Sequence, residues 1–269
     1  KVGPTNPSSM NEKNNSMQKI TTVFSALLVA TTLLLAGATA AHAEAKGLNE
    51  LQKKEVESLV RQYITDNPHV IIEAIQRMQA RQEEDKKRQA KMALHENKSE
   101  LVDDPDAPVG GNLKGDVTIV EFFDYRCGYC KRVFPAIQQV LKDDLNVRYV
   151  YKEFPILGPE SVAASRISLA LWRTDPKKYK SFHAAMMQAR GALPAAKVLS
   201  IAASVGADAA ALKTAMNDPA IETILERNYR LAQSLDINGT PAFVIGGKLV
   251  PGAIDIATMK KMIADARGS

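Results

Sequence analysis

Cysteine is scarce in this sequence, which has two cysteines in 269 residues, Cys127 and Cys130, separated by two residues. A structural zinc site commonly needs two such pairs, or one pair with histidines. The four histidines form no couple at ligand spacing (His42, His69, His95 and His183). A purely structural bridge is disfavoured because so short a loop restrains the unfolded chain by only about 2 kcal/mol. The pair is therefore interpreted as a dithiol–disulfide couple.

Aromatic residues are also few, at 6% of the chain, and charge of one sign is not dominant. Lysine and arginine number 35 against 30 acidic residues, and no basic patch is interleaved with aromatic residues. Nucleic acid is therefore not expected as a partner. The length and the 45% hydrophobic content allow one large domain, or a medium domain with an appendage.

The cysteines lie between two contrasting patterns. Residues 117–123 are β-branched and aromatic, which predicts a buried strand. An amphipathic helix is predicted after them from apolar residues at helical spacing (Val133, Phe134, Ile137, Val140 and Leu141). A thiol at a helix N-terminus faces unpaired N–H groups and the positive end of the helix dipole, which favour its thiolate. The positive charges of Arg126, Lys131 and Arg132 are expected to add to this effect.

The N-terminal segment has the pattern of a secretory signal. Residues 1–16 are a polar leader, Lys19 begins a positive region, and residues 20–36 are an apolar run. Small residues around His42 predict a signal peptide cleaved after Ala43. A membrane anchor is the alternative, but the run is marginal in length and five Ser or Thr residues interrupt it. Export would place the cysteine pair in an oxidising compartment, the bacterial periplasm.

Residues 44–98 are predicted to be a helical stalk and linker. An apolar stripe (Val56, Leu59, Val60, Tyr63 and Ile64) continues beyond Asn67-Pro68, with Asn67 as candidate N-cap of a second helix. Residues 79–91 are mostly charged, and Glu83–Lys87 and Glu84–Arg88 are spaced for ion pairs. Such a stripe must be buried against other copies of the chain or against the catalytic domain. The polar segment favours oligomerisation.

Residues 99–269 alternate between strands and helices. A loop is predicted over 103–115, a helix to Asp143-Asp144, a strand over 147–153 parallel to the first, and helices over 160–236. A hairpin with a Gly-Gly turn then follows Thr240-Pro241, and a helix over 254–266 closes the chain. Met186 and Met187 are interpreted as core residues, with peptide binding as the alternative.

This order of elements resembles the thioredoxin fold of the DsbA family of periplasmic thiol–disulfide oxidoreductases, which carries a helical insertion, here about 159–236. The resemblance covers residues 99–269 and implies an α/β fold. The stalk resembles that of oligomeric DsbA-like proteins of the suppressor-of-copper-sensitivity C type. That resemblance implies a homo-oligomer, with a trimer favoured.

The resemblance also implies roles for residues. Cys127 would be the exposed nucleophile and Cys130 the buried resolving thiol. Pro241 would be a cis-proline preceded by Thr240, whose backbone pairs with a substrate strand. The dipeptide Gly128-Tyr129 would also contact substrate; it replaces the Pro-His of the strongly oxidising member, and a less oxidising couple is therefore expected. Glu121 would be a buried acid that assists proton transfer, although a partly solvated carboxylate at a strand end is an alternative.

The sequence thus predicts a periplasmic protein thiol–disulfide oxidoreductase, favoured as an oligomeric disulfide isomerase, without a cofactor or metal. Its expected partners are client proteins with thiols or non-native disulfides and a membrane redox partner. A DsbA-like dithiol oxidase and a thiol-based copper-binding or copper-tolerance protein are alternatives, since a thiol pair can hold Cu(I). A glutathione-conjugating relative conflicts with the signal peptide, and a scaffold role would leave the cysteine pair unexplained.

Overall fold

The computed structural model describes residues 47–268, which divide into two units, 47–75 and 76–268. The predicted leader and signal peptide, residues 1–43, lie outside the described residues. Within residues 47–268, no helix is long and apolar enough to span a bilayer. The division falls within a helix, whereas the sequence predicts the start of the catalytic domain at residue 99.

The N-terminal unit contains helix α1 (Glu50–Asp66) and the first turns of helix α2 (His69–Glu96). Asn49 and Gln52 form a capping box at the start of α1. Asn67 ends α1, because both its backbone N–H and its side-chain amide donate to the carbonyl of Tyr63, each at 2.9 Å. Asn67 is thus the C-cap of α1, and its backbone carbonyl also accepts from the N–H of Val70 at 3.1 Å in the first turn of α2.

The predicted apolar stripe is exposed in the single chain. Its members in α1 are 37–67% exposed (Val56, Leu59, Val60, Tyr63 and Ile64). Three isoleucines at the start of α2 are also exposed (Ile71, Ile72 and Ile75). A contiguous apolar surface of this kind commonly marks an interaction site.

The charged part of α2 confirms one predicted ion pair and corrects another. Lys87 pairs with Glu83 at 3.0 Å, one helical turn away, as predicted. Arg88 pairs with Asp85 at 2.6 Å instead of with Glu84. Both spacings, three and four residues, place side chains on the same helix face, so the sequence pattern alone did not select between them.

The larger unit is built on a five-stranded mixed sheet of order β1-β3-β2-β4-β5. Its strands are β1 (Val109–Gly111), β2 (Val117–Phe123), β3 (Val147–Glu153), β4 (Ala242–Ile245) and β5 (Lys248–Pro251). The parallel pairing of β2 with β3 confirms the prediction. The loop predicted over 103–115 contains β1, which pairs antiparallel with β3 at the edge of the sheet.

Two apolar cores flank this sheet, because successive side chains of β2 point to opposite faces. Ile119 and Phe123 belong to the larger core, which includes both cysteines. Val120 and Phe122 belong to the smaller one, to which Leu94 near the end of α2 also contributes. Short helix α3 (Lys98–Val102) lies between α2 and β1.

Helices connect the strands. Helix α4 (Gly128–Asp143) joins β2 to β3, and five helices lie between β3 and β4: α5 (Pro159–Thr174), α6 (Pro176–Gln188), α7 (Ala195–Ser204), α8 (Ala209–Ala215) and α9 (Pro219–Ser234). The junctions between these helices contain proline, glycine or aspartate, at 174–176, 191–194, 205–208 and 217–219. Asp208 and Asp218 cap α8 and α9 through their carboxylates.

The predicted hairpin is formed by β4 and β5, joined by Gly246 and Gly247 with φ of 56° and 75°. Glycine tolerates this left-handed region, which a two-residue type I′ turn requires at both positions. Helix α10 (Ile256–Arg267), capped by Asp255, closes the described chain. The α/β architecture is the predicted thioredoxin fold with a helical insertion between β3 and β4.

Candidate active site

The two cysteines lie at the junction between the buried central strand β2 and helix α4. Cys127 is the N-cap residue of α4, as the sequence predicted. The preceding turn is fixed by Asp124, whose carbonyl accepts from the N–H of Cys127 at 3.0 Å. The carboxylate of Asp124 accepts from the N–H groups of Arg126 at 2.7 Å and Leu157 at 3.0 Å.

The thiol of Cys127 contacts the loop that precedes β4. Its Sγ donates to the carbonyl oxygen of Thr240 at 3.2 Å. The Thr240–Pro241 peptide bond is cis. Antiparallel pairing of β4 with β2 brings residue 240 to this place, although 113 residues separate it from Cys127. The structure therefore brings together Cys127, Thr240 and Pro241.

The two thiols have opposite electrostatic environments. A hydrogen bond from the Cys130 thiol, aided by Thr240 and by the backbone N–H groups of Cys130 and Tyr129, lowers the pKa of Cys127 to about 5. The pKa of Cys130 is raised, first by that same interaction with Cys127 and then by burial and the charge of Glu121. At neutral pH the thiolate, which is the reactive form of a cysteine, is therefore favoured at Cys127 over Cys130.

The cations near the pair have other partners. Arg126 donates to the carbonyl of Leu157 at 2.7 Å and pairs with Glu160 at 3.2 Å. Lys131 donates to carbonyl oxygens of α6 and the residue after it, and Arg132 lies 5.0 Å from the ring centre of Tyr129. These cations were expected to lower the pKa of Cys127. Hydrogen bonds to its sulfur lower that pKa instead.

The exposure of residues 127–130 partly matches the expectation of an exposed Cys127 and a buried Cys130. Cys130 is fully buried, and Cys127 is only 5% exposed, so the predicted nucleophile is more covered than expected. Packing at the helix start and the contact with Thr240 cover it. Gly128 and Tyr129 are exposed, and they present backbone and an aromatic ring beside the sulfur.

Glu121 lies in the middle of β2, and its side chain is buried at 1% exposure. The alternative of a partly solvated carboxylate at a strand end is therefore wrong. Burial raises the pKa of Glu121 to about 8, although the hydroxyl of Tyr149 donates to Oε2 at 2.6 Å and opposes the shift. Oε1 has no hydrogen-bond partner. Because this charge raises the pKa of Cys130, the carboxyl and the buried thiol are electrostatically coupled.

A second buried polar cluster was missed by sequence reasoning. The hydroxyl of Tyr125 lies 2.9 Å from Ser168 Oγ and 3.0 Å from His183 Nδ1. Burial lowers the pKa of His183 to about 3, so the ring is neutral. Burial also raises the pKa of Glu153, at the end of β3, to about 8, and Ser165 donates to its carboxyl at 2.7 Å. These groups come from four separate segments of the chain, and no local pattern marks them.

Within residues 47–268, no group of three or more histidine, cysteine and acidic side chains is arranged to hold a metal ion. The two cysteines are free thiols.

Two family models match the chain. The model of the DSBA-like thioredoxin domain matches residues 118–264, just over half of the sequence. The model of the N-terminal domain of the copper resistance protein ScsC matches residues 52–84. The first match contains both cysteines and Pro241, and the second contains the apolar stripe of α1.

Solved structures and curated proteins agree with these matches. A thioredoxin-like oxidoreductase from Silicibacter pomeroyi is 42% identical, with a TM-score of 0.62, over 64% of this chain and 99% of that chain. ScsC from Proteus mirabilis, in a transitional conformation, is 31% identical, with a TM-score of 0.62, over 82% of this chain and 98% of its own. The thiol:disulfide interchange protein DsbA of Bordetella parapertussis is 27% identical over 55% of this chain and 71% of its own length.

Other curated relatives are much longer. The chain spans about a quarter of the length of the Na⁺/H⁺ antiporters NhaA 1 of Salinispora arenicola and NhaA 3 of Salinispora tropica. At 25–26% identity, the match covers 61–62% of this chain.

Proposed function

Because this chain belongs to the DSBA-like thioredoxin domain family of thiol–disulfide oxidoreductases, we propose that it exchanges disulfides with client proteins in the periplasm as an oligomeric disulfide isomerase. One observation carries the proposal. The sulfur of Cys127, whose pKa is lowered to about 5, lies at the start of α4 and 3.2 Å from the carbonyl preceding a cis-proline. A reactive thiolate beside the cis-proline loop and the exposed Gly128-Tyr129 dipeptide suits attack on a disulfide in an extended client segment.

The first step joins the enzyme to the client. The thiolate of Cys127 attacks one sulfur of a client disulfide, the client S–S bond breaks, and the second client sulfur leaves as a thiolate. The product is a mixed disulfide between Cys127 and the client. Thr240, Pro241, Gly128 and Tyr129 surround the sulfur and are the proposed contacts of the client backbone.

The second step decides between reduction and isomerisation. In reduction, Cys130 loses its proton and attacks Cys127, which forms the Cys127–Cys130 disulfide and releases the client as a dithiol; two electrons pass to the client. In isomerisation, another client thiolate attacks the mixed disulfide and releases the Cys127 thiolate, so no net electrons are transferred. Oxidation of a client dithiol is the reverse of reduction.

Glu121 is the proposed acceptor of the proton from Cys130. The thiol needs a base because its pKa is raised. A carboxyl with a pKa of about 8 can accept and return a proton near neutral pH. Its unpaired Oε1 leaves one oxygen available for that proton.

The stalk supports the oligomeric part of the proposal. Residues 52–84 match the ScsC N-terminal domain model, and the apolar stripe of α1 lies within them and is exposed in the single chain. A homo-oligomer, proposed as a trimer, would bury that stripe and present several active sites to one misfolded client. The apolar run and small residues before Ala43 support secretion to the periplasm. A membrane redox partner that keeps the pair reduced is part of this proposal.

The test compares reactivation of scrambled ribonuclease with oxidation of reduced ribonuclease, using the full chain. An isomerase reactivates scrambled ribonuclease efficiently in its reduced form and oxidises reduced ribonuclease slowly. Cys127→Ser should abolish both activities. Cys130→Ser should accumulate a mixed disulfide with the client and keep part of the isomerase activity, because release by a client thiol does not require Cys130.

Two results would contradict parts of the proposal. Fast oxidation of reduced ribonuclease with little reactivation of the scrambled form would indicate a dithiol oxidase. Unchanged activity after Cys127→Ser would reject the thiol–disulfide mechanism itself. Exposed Lys213 in α8 is outside the site, and Lys213→Gln provides a control for substitution as such.

A further inference from the structure

A groove begins at the active site and follows one face of α4. Its walls come from α4 and from residues 187–190 at the end of α6, and its volume is about 880 Å³. The α4 residues that line it recur every three or four positions (Gly128, Lys131, Arg132, Phe134, Pro135, Gln138, Gln139 and Lys142). This spacing describes a single stripe along a helix. We call this cavity the basic groove.

The basic groove has the length of a short peptide. From Gly128 to Lys142 the helix advances by about 21 Å at about 1.5 Å per residue. An extended chain covers about 3.3 Å per residue, so about six residues of client would lie along the groove. Gly128 is the neighbour of Cys127, and a client joined to that sulfur therefore reaches the groove directly.

The charge of the groove is of one sign. Four cationic side chains line it (Lys131, Arg132, Lys142 and Arg190), and no aspartate or glutamate does. The carboxylate of Asp143, which follows Lys142 in sequence, pairs with Lys260 at 2.6 Å. Within residues 47–268, no ion pair joins Arg132, Lys142 or Arg190 to a carboxylate. These three cations thus have no direct carboxylate partner, although the charge of Lys142 contributes to the lowered pKa of Asp143, which is itself paired with Lys260.

One of the four cations also fixes the wall of the groove. The Nζ of Lys131 donates to the carbonyl of Met186 at 2.9 Å and to that of Ala189 at 2.6 Å. The end of α6 is thereby tied to the active-site helix. Lys197 donates to the carbonyl of Arg190 at 2.6 Å and brings a further positive charge to this end. The groove is therefore held by specific hydrogen bonds, with its positive field close to the reactive sulfur.

We propose that the basic groove binds acidic segments of client proteins, those with aspartate or glutamate within about six residues of the client cysteine. The proposal rests on the proposed function, since it assigns a substrate preference to the same site. Charge complementarity identifies the occupant, because a cleft lined by one sign of charge concentrates ligands of the other. The length of the basic groove and its start at Gly128 favour a peptide that is attached to Cys127.

The experiment uses peptides with one small disulfide loop and a flank of six residues that contains glutamate, glutamine or lysine. Flanks are placed on either side of the loop in separate peptides. The reduced full chain is mixed with each peptide in a single turnover, in which two electrons pass from the Cys127–Cys130 dithiol to the peptide disulfide, and the second-order rate constant for loop reduction is measured at low and high salt. The glutamate peptide should react about threefold to tenfold faster than the glutamine peptide at low salt, and the lysine peptide should be slowest. High salt should shrink these differences.

Variants distinguish the groove from the net charge of the protein. Lys142→Gln with Arg190→Gln should remove most of the preference for glutamate, measured as the ratio of the rate constants for the glutamate and glutamine peptides with the same variant. Lys213→Gln removes an exposed positive charge outside the groove and should keep the preference.

The outcomes separate the two proposals. If the glutamine peptide is not reduced at all, the proposed function fails. If it is reduced but the glutamate flank gives no advantage on either side, the basic groove has no such role and the proposed function stands. An equal loss of preference in the Lys213→Gln control would assign the effect to overall charge and overturn the proposal.

Discussion

Tyr149 donates a hydrogen bond of 2.6 Å from its hydroxyl to Oε2 of Glu121. The two residues lie on neighbouring parallel strands, with Tyr149 opposite Ile119 and Tyr151 opposite Glu121. This bond satisfies only one oxygen of a fully buried carboxyl, and the pKa of Glu121 is still raised to about 8. The pair therefore holds a protonatable group inside the core beside the cysteines, and two predictions follow from its chemistry.

Replacing Glu121 with glutamine should slow the resolving step. The variant keeps the size of the side chain and removes the acceptor for the Cys130 proton, so a mixed disulfide with a client should persist roughly tenfold to a hundredfold longer. Acid quenching followed by gel electrophoresis measures its lifetime. Tyr149→Phe removes a bond that lowers the Glu121 pKa, and should shift the pH profile of this step upward. An unchanged lifetime in E121Q would remove Glu121 from the proton path.

Glu121 should also make stability depend on pH. Its pKa is raised in the folded state, so the native protein holds a proton that the unfolded chain loses above about pH 4.5. The free energy of unfolding should fall between about pH 4.5 and pH 8, and E121Q should show a smaller fall. Urea denaturation at several pH values measures this slope. Glu153, whose pKa is also raised to about 8, should contribute the remaining fall of the same sign.

The thiolate of Cys127 should be detectable at mildly acidic pH. Thiolate absorbance of the reduced protein should titrate with a pKa of about 5. Cys130→Ala should raise this pKa, because it removes the hydrogen bond that is the largest cause of the shift, and Cys130→Ser should raise it less. Since the folded pKa is lowered, the contribution of Cys127 to the stability of the reduced protein should increase from about pH 5 to pH 9, opposite in sign to that of Glu121. The fall predicted for Glu121 is therefore measured on the oxidised protein, in which this thiol does not titrate.

The redox potential should be intermediate. A Cys127 pKa of about 5 lies between those of thioredoxin, about 7, and of the strongly oxidising DsbA, about 3.5. The potential is accordingly expected between about −270 and −120 mV, and equilibration with glutathione measures it. A value near −120 mV would contradict the expectation of a less oxidising couple from the Gly128-Tyr129 dipeptide.

The apolar stripe of α1 should control assembly. Val60 is 51% exposed in the single chain, and Val60→Lys should place a charge in the interface of the proposed oligomer and reduce its mass. Ser58 lies on the other side of the helix, so Ser58→Lys is the matched control and should leave the mass unchanged. Light scattering measures the mass of the oligomer formed by each variant. A monomeric unsubstituted protein would reject the stalk as an oligomerisation element.

A buried ion pair should contribute more to the free energy of unfolding than an exposed ion pair of equal N–O distance. Lys152 and Asp104 are paired at 2.6 Å with side chains 1–2% exposed, while Lys260 and Asp143 are paired at 2.6 Å and are 36–50% exposed. Lys152→Met should lower the free energy of unfolding by about 3–5 kcal/mol, because it removes the partner of Oδ2 of the buried Asp104 carboxylate, while Arg227 and the N–H of Asp106 bind Oδ1. Lys260→Met should cost about 1 kcal/mol or less. Urea denaturation compares them, and equal costs would contradict the role of burial.

Much of the fold could be predicted because it depends on local sequence patterns. The bounds of β2 and β3 follow from β-branched and aromatic runs, and proline, glycine and aspartate mark the breaks between the inserted helices. Strand β1 was missed, since its three residues include two glycines and its only support is the pairing with β3. The Tyr125–His183 cluster was missed because 58 residues separate its members.

By itself, the sequence determined the order of the elements and the position of Cys127 at a helix start, because helical and strand periods and caps act over a few residues. Only the tertiary structure decided what surrounds that sulfur. Pairing of β4 with β2 places Thr240 at 3.2 Å from Cys127, and burial turns Glu121 into a group with a pKa of about 8. The physical reason is that pKa values depend on desolvation and on neighbours, and both are set by contacts between distant parts of the chain.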